Sequence, residues 1–295
     1  MKKSKIEMLI IDPQYDFIDV PSDFQSVSIN AMTNETEKVE PALPVTGSWQ
    51  DSLKLAKFIN KFGGNIGQIR VTLDTHQQYD IAHPLFWLDQ NNQQPKPFTT
   101  ITSKDILNGV WRPIDDSKKD YVIEYTKELE AQGLYELFIW PPHCLIGTDG
   151  YKVIQPIMKE LMNWEQKYIG RVSYVSKGHN PYTEHYGAFK SEVTMDNDPT
   201  TSLNLKLIKI IEQSDYVFLS GQALSHCVAS TVRQLVDNFG SDNIKKLVLL
   251  VDTSSPVTGF EKNGADFVEE MRSKGMIIAK TTDVSFENNK FKFNV

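Results

Sequence analysis

YVFLSGQALSHCVASTVRQLV, residues 216–236, decides the fold. It opens on a near-continuous apolar run and breaks at Gly221. It then continues with apolar residues at three- and four-residue spacing. That pattern is a strand, a tight loop and a helix. A strand apolar on both of its alternating faces suits a parallel sheet covered by helices on each side. Five more runs read the same way: IEMLII (6–11), IGQIRVTL (66–73), RVSYVS (171–176), LVLLV (247–251) and MIIAK (276–280). Amphipathic stretches lie between them, among them WQDSLKLAKFIN, GYKVIQPIMKELMNWEQ, SLNLKLIKIIEQ and FEKNGADFVEEMR. Gly63-Gly64 and Gly240 fall where helices should stop. Strand–helix alternation predicts an α/β chain built as three layers.

Bulk composition agrees and excludes several classes. Of 295 residues 40% are hydrophobic and 23% charged, enough apolar material for a large core and too much for wholesale disorder. Asp and Glu outnumber Lys and Arg by 38 to 31, a net charge of −7. Without a basic block the chain is not expected to bind nucleic acid, which requires clustered cations against phosphates. No apolar stretch approaches the ~20 residues that span a bilayer, so no membrane partner is expected. The lysine-rich start, MKKSK, precedes an apolar run too short for a secretory signal. Two cysteines, Cys144 and Cys227, cannot form a disulfide framework, which makes a cytoplasmic protein the default.

Two segments break the rhythm. Residues 18–47 are polar and carry Pro21, Pro41 and Pro44; residues 88–134 carry DQNNQQPKP and one modest apolar cluster. Both read as surface loop, with a lid or an oligomer contact as the functional alternative. No repeat and no linker is visible. The expectation is a single domain over 1–295, with insertions at about 18–47 and 88–134.

Ligands of open parallel sheets bind beyond the carboxyl ends of the strands. Asp12 ends the first run, Asp74 and His76 follow the second, Lys177 follows the third, and Cys227 lies seven residues past Ser220. In LDTHQQYDIAHP, Asp74 and His76 project from one side of an extended segment. Carboxylate and imidazole suit Zn, Mn or Fe. His83 follows, and His143 arrives in WPPHC. Asp-x-His alone is equally compatible with a carboxylate bonded to a turn beside a solvated histidine. The added histidines shift the balance toward a metal with open positions, the mark of a catalytic site.

Ser225 fits an N-cap, which would put Cys227 in the first helical turn, where the helix dipole favours thiolate. The bland alternative, an inert buried cysteine, suits Cys144 better. A nucleophilic thiol needs a proton acceptor and a charge partner, and Asp12 and Lys177 are the candidates. Either could also be an ordinary turn or loop residue.

Taken together, IIDPQYDF, DTH, WPPHC, YVSKG and SGQALSHC resemble the nicotinamidase branch of the isochorismatase-like cysteine hydrolases, in matching order from residue 6 to about 255. The resemblance implies a six-stranded parallel sheet in the order 3-2-1-4-5-6, flanked by helices. It implies a catalytic triad of Asp12, Lys177 and Cys227. It implies one divalent metal ion, zinc first and manganese or iron as alternatives, on Asp74, His76 and His143, with His83 as a fourth candidate. Phe17 and Trp140 match the aromatic pair that sandwiches a pyridine ring. The backbone N–H groups of Ala223 and Cys227 match the oxyanion hole, with a cis peptide before Ala223.

The activity implied is hydrolysis of a small aromatic amide through a cysteine thioester. The expected substrate is nicotinamide, in pyridine nucleotide salvage, and the expected assembly is a homo-oligomer. The alternatives are an N-carbamoyl or ureidoacrylate-type amidohydrolase and a non-catalytic pyridine- or metal-binding member. Segments 18–47 and 88–134 are longer than in compact members, and His179, Glu184 and His185 of KGHNPYTEHYGAF have no assigned role.

Overall fold

A computed structural model describes residues 5–295; the start of the lysine-rich stretch, residues 1–4, lies outside them. Six parallel strands form the central sheet: β1 (Ile6–Ile11), β2 (Gln68–Asp74), β3 (Ser173–Lys177), β4 (Tyr216–Gly221), β5 (Leu247–Leu250) and β6 (Ile277–Ala279). Their order is 3-2-1-4-5-6, as the resemblance implies. The chain reverses direction of travel across the sheet between β1 and β4, the switch point at which ligands bind in such folds.

Alternation along the strands separates two cores. Leu9 and Ile11 of β1 join Val217, Leu219 and Leu249 on one face. Helices α4 (Leu205–Glu212), α5 (Ala229–Asn238) and α6 (Glu261–Ser273) cover that face, through side chains such as Ile208, Leu235 and Phe267. Met8 and Ile10 point the other way. There they meet α1 (Ser48–Phe62) and α3 (Gln155–Tyr168) through Phe58, Phe62, Leu161 and Trp164. Each such side chain, buried, contributes roughly 1.5–3 kcal/mol of hydrophobic stabilisation. Among the described residues no helix is long and apolar enough to cross a membrane.

The two segments read as loop are more ordered than that. In residues 18–47, Ser26–Ile29 and Thr36–Val39 pair as an antiparallel hairpin. The hairpin is largely exposed and polar, so no apolar pattern announces it. The chain after it is tucked in: Leu43 N–H donates to Asp16 O and Val45 N–H to Phe17 O, both at about 3 Å. Residues 88–134 contain a short helix, Ser103–Leu107, and the long helix α2 (Lys119–Gln132). With neighbouring residues they enclose a third core holding Phe86, Trp87, Ile106, Val122, Tyr125 and Leu129. These apolar side chains are scattered through polar sequence and become a core only on folding.

Candidate active site

The sheet brings four strand ends together. In the β2–β3 register Asp74 stands opposite Lys177, and in the β1–β4 register Ile11, just before Asp12, stands opposite Gly221. Gly221 has a φ of 125°, and a Cβ there would lie 1.9 Å from Ile11 O. Only glycine allows β4 to end this close to β1. The chain then passes through a cis peptide between Gln222 and Ala223. It enters one π-helical turn, Leu224–Val228, which runs into α5 and carries Cys227.

Ser225 is not the cap of this helix. Its hydroxyl accepts Val257 N–H at 3.0 Å and bonds His226 Nδ1 at 2.9 Å. The N-cap position falls on Ala223, without a side-chain cap. The Ala223 N–H has no acceptor among the described residues.

Lys177 is the hub. Its Nζ lies 3.0 Å from Asp12 Oδ2, 3.0 Å from Asp74 Oδ1 and 3.7 Å from Cys227 Sγ. It also donates to His185 O at 2.8 Å. One ligand atom each from Asp12, Asp74 and Cys227 lies within 4.8 Å of the others. Asp12 is held by Thr72, whose hydroxyl donates to Oδ1 and accepts Asp12 N–H. All of these side chains are buried.

Burial sets the resting charges. Desolvation pulls Lys177 down, but Asp12 and Asp74 beside it override this and hold it well above its ordinary value. Desolvation raises Asp74, but His76 and Lys177 hold it well below the usual carboxylate range. Desolvation pushes Asp12 up against the pull of Lys177. Cys227 is likewise driven well above an ordinary thiol by burial, with Asp12 and Asp74 adding to it, against the pull of Lys177. The resting group is therefore a thiol, not the thiolate expected from its helical position.

Next to Lys177 lies a group suited to a cation. Ligand atoms of Asp74, His76 and His143 all lie within 4.8 Å of one another. The Nε2 atoms of His76 and His143 stand 3.2 and 3.6 Å from Asp74 Oδ2. Their other nitrogens are engaged at 2.9 Å, Nδ1 of His76 by Asp80 and Nδ1 of His143 by Pro141 O. A carbonyl oxygen can only accept, so Nδ1 of His143 carries the proton and, in the neutral ring, Nε2 presents a lone pair toward the carboxylate. Against desolvation, Asp74 and Asp80 raise the His76 pKa well above its ordinary value, and a divalent ion drawing on both Nε2 atoms and Asp74 would displace the proton that these carboxylates favour. His76 Nε2 is buried without a hydrogen-bond partner, as that fit requires.

His83 stands outside this set. Its ring centroid is 5.1 Å from that of His76, but its Nδ1 bonds Gln77 O at 3.0 Å and it contributes no ligand atom to the group. Burial draws its pKa down to about 3.

Phe17, Trp140, Ala223 and Cys227 line one chamber, together with Leu43 and Val257. Phe17 meets His143 edge-on at 5.3 Å, and Trp140 Nε1 donates to Tyr186 OH at 3.0 Å. The open volume is about 20 Å³, room for roughly one water, so any larger ligand must spread the walls.

Several residues went unremarked in the sequence. Asp80 orients His76. Gln14 bonds both Asp74 N–H and Asp74 O, at 2.7 and 2.8 Å. Asp16 accepts Cys144 N–H at 2.7 Å and Ala42 N–H at 2.9 Å, tying the His143 loop to the chain around Leu43. All follow within a few residues of Asp12 or Asp74, the one signal that could have found them. Glu184 lines the chamber, and burial pushes its carboxyl up to about 8. His185 accepts Gly178 N–H through Nδ1 at 3.2 Å, and His179 is exposed. Cys144 is fully buried beside the site, its thiol raised well above normal by that burial.

Comparison with known proteins places the fold. The structure of the yeast nicotinamidase bound to the inhibitor nicotinaldehyde superposes with a TM-score of 0.60, covering 93% of this chain and 99% of that one at 17% identity. The fold is that of the nicotinamidases. A Pyrococcus horikoshii pyrazinamidase in complex with zinc matches with a TM-score of 0.53 at 18% identity, over 94% of this chain and 99% of the other. An L. infantum protein in complex with nicotinate matches with a TM-score of 0.54 at 17% identity, over 95% and 94%. In sequence, the nicotinamidase of Saccharomyces cerevisiae is 26% identical over 164 residues, 56% of this chain. That match spans 59% of the yeast protein's length. No protein-family profile matches the chain.

Proposed function

We propose that this protein is a cysteine amidohydrolase, a nicotinamidase that converts nicotinamide and water to nicotinate and ammonia. The observation that carries the reading is the meeting of Asp12, Lys177 and Cys227 in one buried cluster, one strand end from the Asp74/His76/His143 group. A binding module has no need of a thiol, a carboxylate and an ammonium arranged this way.

Asp12 takes the Cys227 proton, which the raised thiol does not give up unaided. Lys177 stays positive throughout and offsets the charge that passes between Asp12 and the sulfur. The thiolate attacks the amide carbon. The Ala223 N–H, free of any acceptor among the described residues, and the Cys227 N–H receive the oxyanion. Losing one such donor typically costs about 3–4 kcal/mol of barrier. Asp12 passes its proton to the departing ammonia, then deprotonates the water that opens the thioester. Phe17 and Trp140 flank the ring and exclude water from it. A divalent ion on Asp74, His76 and His143 would supply Lewis-acidic attraction that orients a pyridine carboxamide.

Nicotinamide turnover, followed as ammonia release, tests this. Cys227→Ala should lose at least roughly 10³-fold in rate while its circular dichroism spectrum stays that of the parent. Near-parental amidase activity in that variant would remove Cys227 as nucleophile.

A further inference from the structure

A second and far larger chamber, about 410 Å³, adjoins the one over Cys227. Tyr186 and His226 line both and form the partition. The His226 ring is packed by Tyr135, Trp140, Tyr186 and Phe260, with centroids 4.7 to 5.4 Å away. Burial holds its pKa down at about 4, so the partition carries no charge at neutral pH.

Thr100, Gly133, Leu134 and Asn263 share the remaining walls with aromatic and acidic side chains. Tyr135, Phe138 and Phe260 present aromatic surface, and Glu130 and Glu136 add carboxylates, while no lysine or arginine lines the chamber. Glu130 is fixed by Ser103, whose N–H and hydroxyl donate to its two oxygens at 2.6 and 2.7 Å. Glu136 has neither a hydrogen bond nor an ion pair among the described residues. Aromatic faces attract cations through the ring quadrupole, and uncompensated carboxylates repel anions. The volume falls in the range of small-molecule sites.

We propose that this chamber is a binding site for a planar organic cation, an N-alkylated nitrogen heteroaromatic of one or two rings. The ring would lie against the aromatic walls, with its charge toward Glu136 and Glu130. The site uses neither Cys227 nor Asp12, so it stands or falls independently of the hydrolase reading.

The test is calorimetric titration of the full-length protein at neutral pH with N-methylquinolinium, against quinoline, its uncharged counterpart. The cation should bind saturably and about ten-fold tighter than quinoline, the scale of a partly desolvated cation–π contact reinforced by a carboxylate. Glu136→Gln should weaken the cation about three- to ten-fold and leave quinoline unchanged. Phe260→Ala should weaken both. Glu287→Gln, the same charge change on the hairpin formed by Val284–Glu287 and Lys290–Phe293, should alter neither. Equal affinities, no saturable binding, or an unaltered Kd in Glu136→Gln would overturn the proposal. So would loss of binding in Phe17→Ala with Phe260→Ala unaffected, which would put the cation in the chamber of the nucleophile.

Discussion

Asp80 makes no contact with a reacting group, yet its carboxylate fixes which nitrogen of His76 faces Asp74. Partners of this kind are worth about 10–100-fold in metal affinity. Asp80→Ala should therefore weaken zinc binding by that factor, read by competition with a chromophoric chelator, while Cys227 stays in place. Glu192 is a second residue whose role is electrostatic. Burial raises its carboxyl to about 7, against about 4.5 when the chain is unfolded. Between those values the unfolded chain has released a proton that the folded one keeps, so stability falls as pH rises through that window and levels off above it. The loss amounts to roughly 2–4 kcal/mol. Urea unfolding followed from acid to neutral pH should show that decline in the parent and a flatter profile in Glu192→Gln. Identical slopes would mean the carboxyl is not protonated in the fold.

Among the elements, the unit built from residues 88–134 and its flanks has its own core, separate from the two that sandwich the sheet. Trp87 is at its centre, with no exposed surface, and its Nε1 donates to Ile81 O at 2.7 Å. Trp87→Ala should cost about 3–5 kcal/mol by the lost packing and the cavity left behind. A loss below about 1 kcal/mol in chemical denaturation would return this segment to the status of a surface loop. The strap at Leu43 works differently. Asp16 ties it to the loop bearing Cys144 and His143, so the wall of the small chamber and one candidate ligand share a single carboxylate.

For the whole molecule, the two apolar faces of the parallel sheet are complete without the Asp74/His76/His143 group, which sits at and just past the carboxyl end of β2. Chelation should accordingly abolish amidase activity while leaving far-ultraviolet dichroism unchanged, with activity restored by divalent metal. Unfolding on chelation would make the ion structural instead.

The sheet was legible because its strands are buried on both faces, and such strands must be apolar at every position whatever surrounds them. IEMLII and LVLLV announce themselves without context. The reactive residues were legible one at a time, as Asp12, Asp74, Lys177 and Cys227 each end or follow such a run. Their meeting around one ammonium followed only from the resemblance and not from the residues themselves, since it depends on β3 lying beside β2 and β4 beside β1. Nor was the third core legible: its apolar residues have no common period until the helix Ser103–Leu107, α2 and the strand pairs Trp87–Asp89 with Trp111–Pro113 and Thr100–Ile101 with Leu137–Phe138 bring them together. The state of Cys227 shows the same division. Position at a helix start argued for a thiolate, but how deeply the sulfur is buried, and that Ser225 accepts Val257 N–H rather than capping the helix, are settled by distant chain. Local pattern is a property of neighbours in sequence; desolvation and charge pairing are properties of neighbours in space.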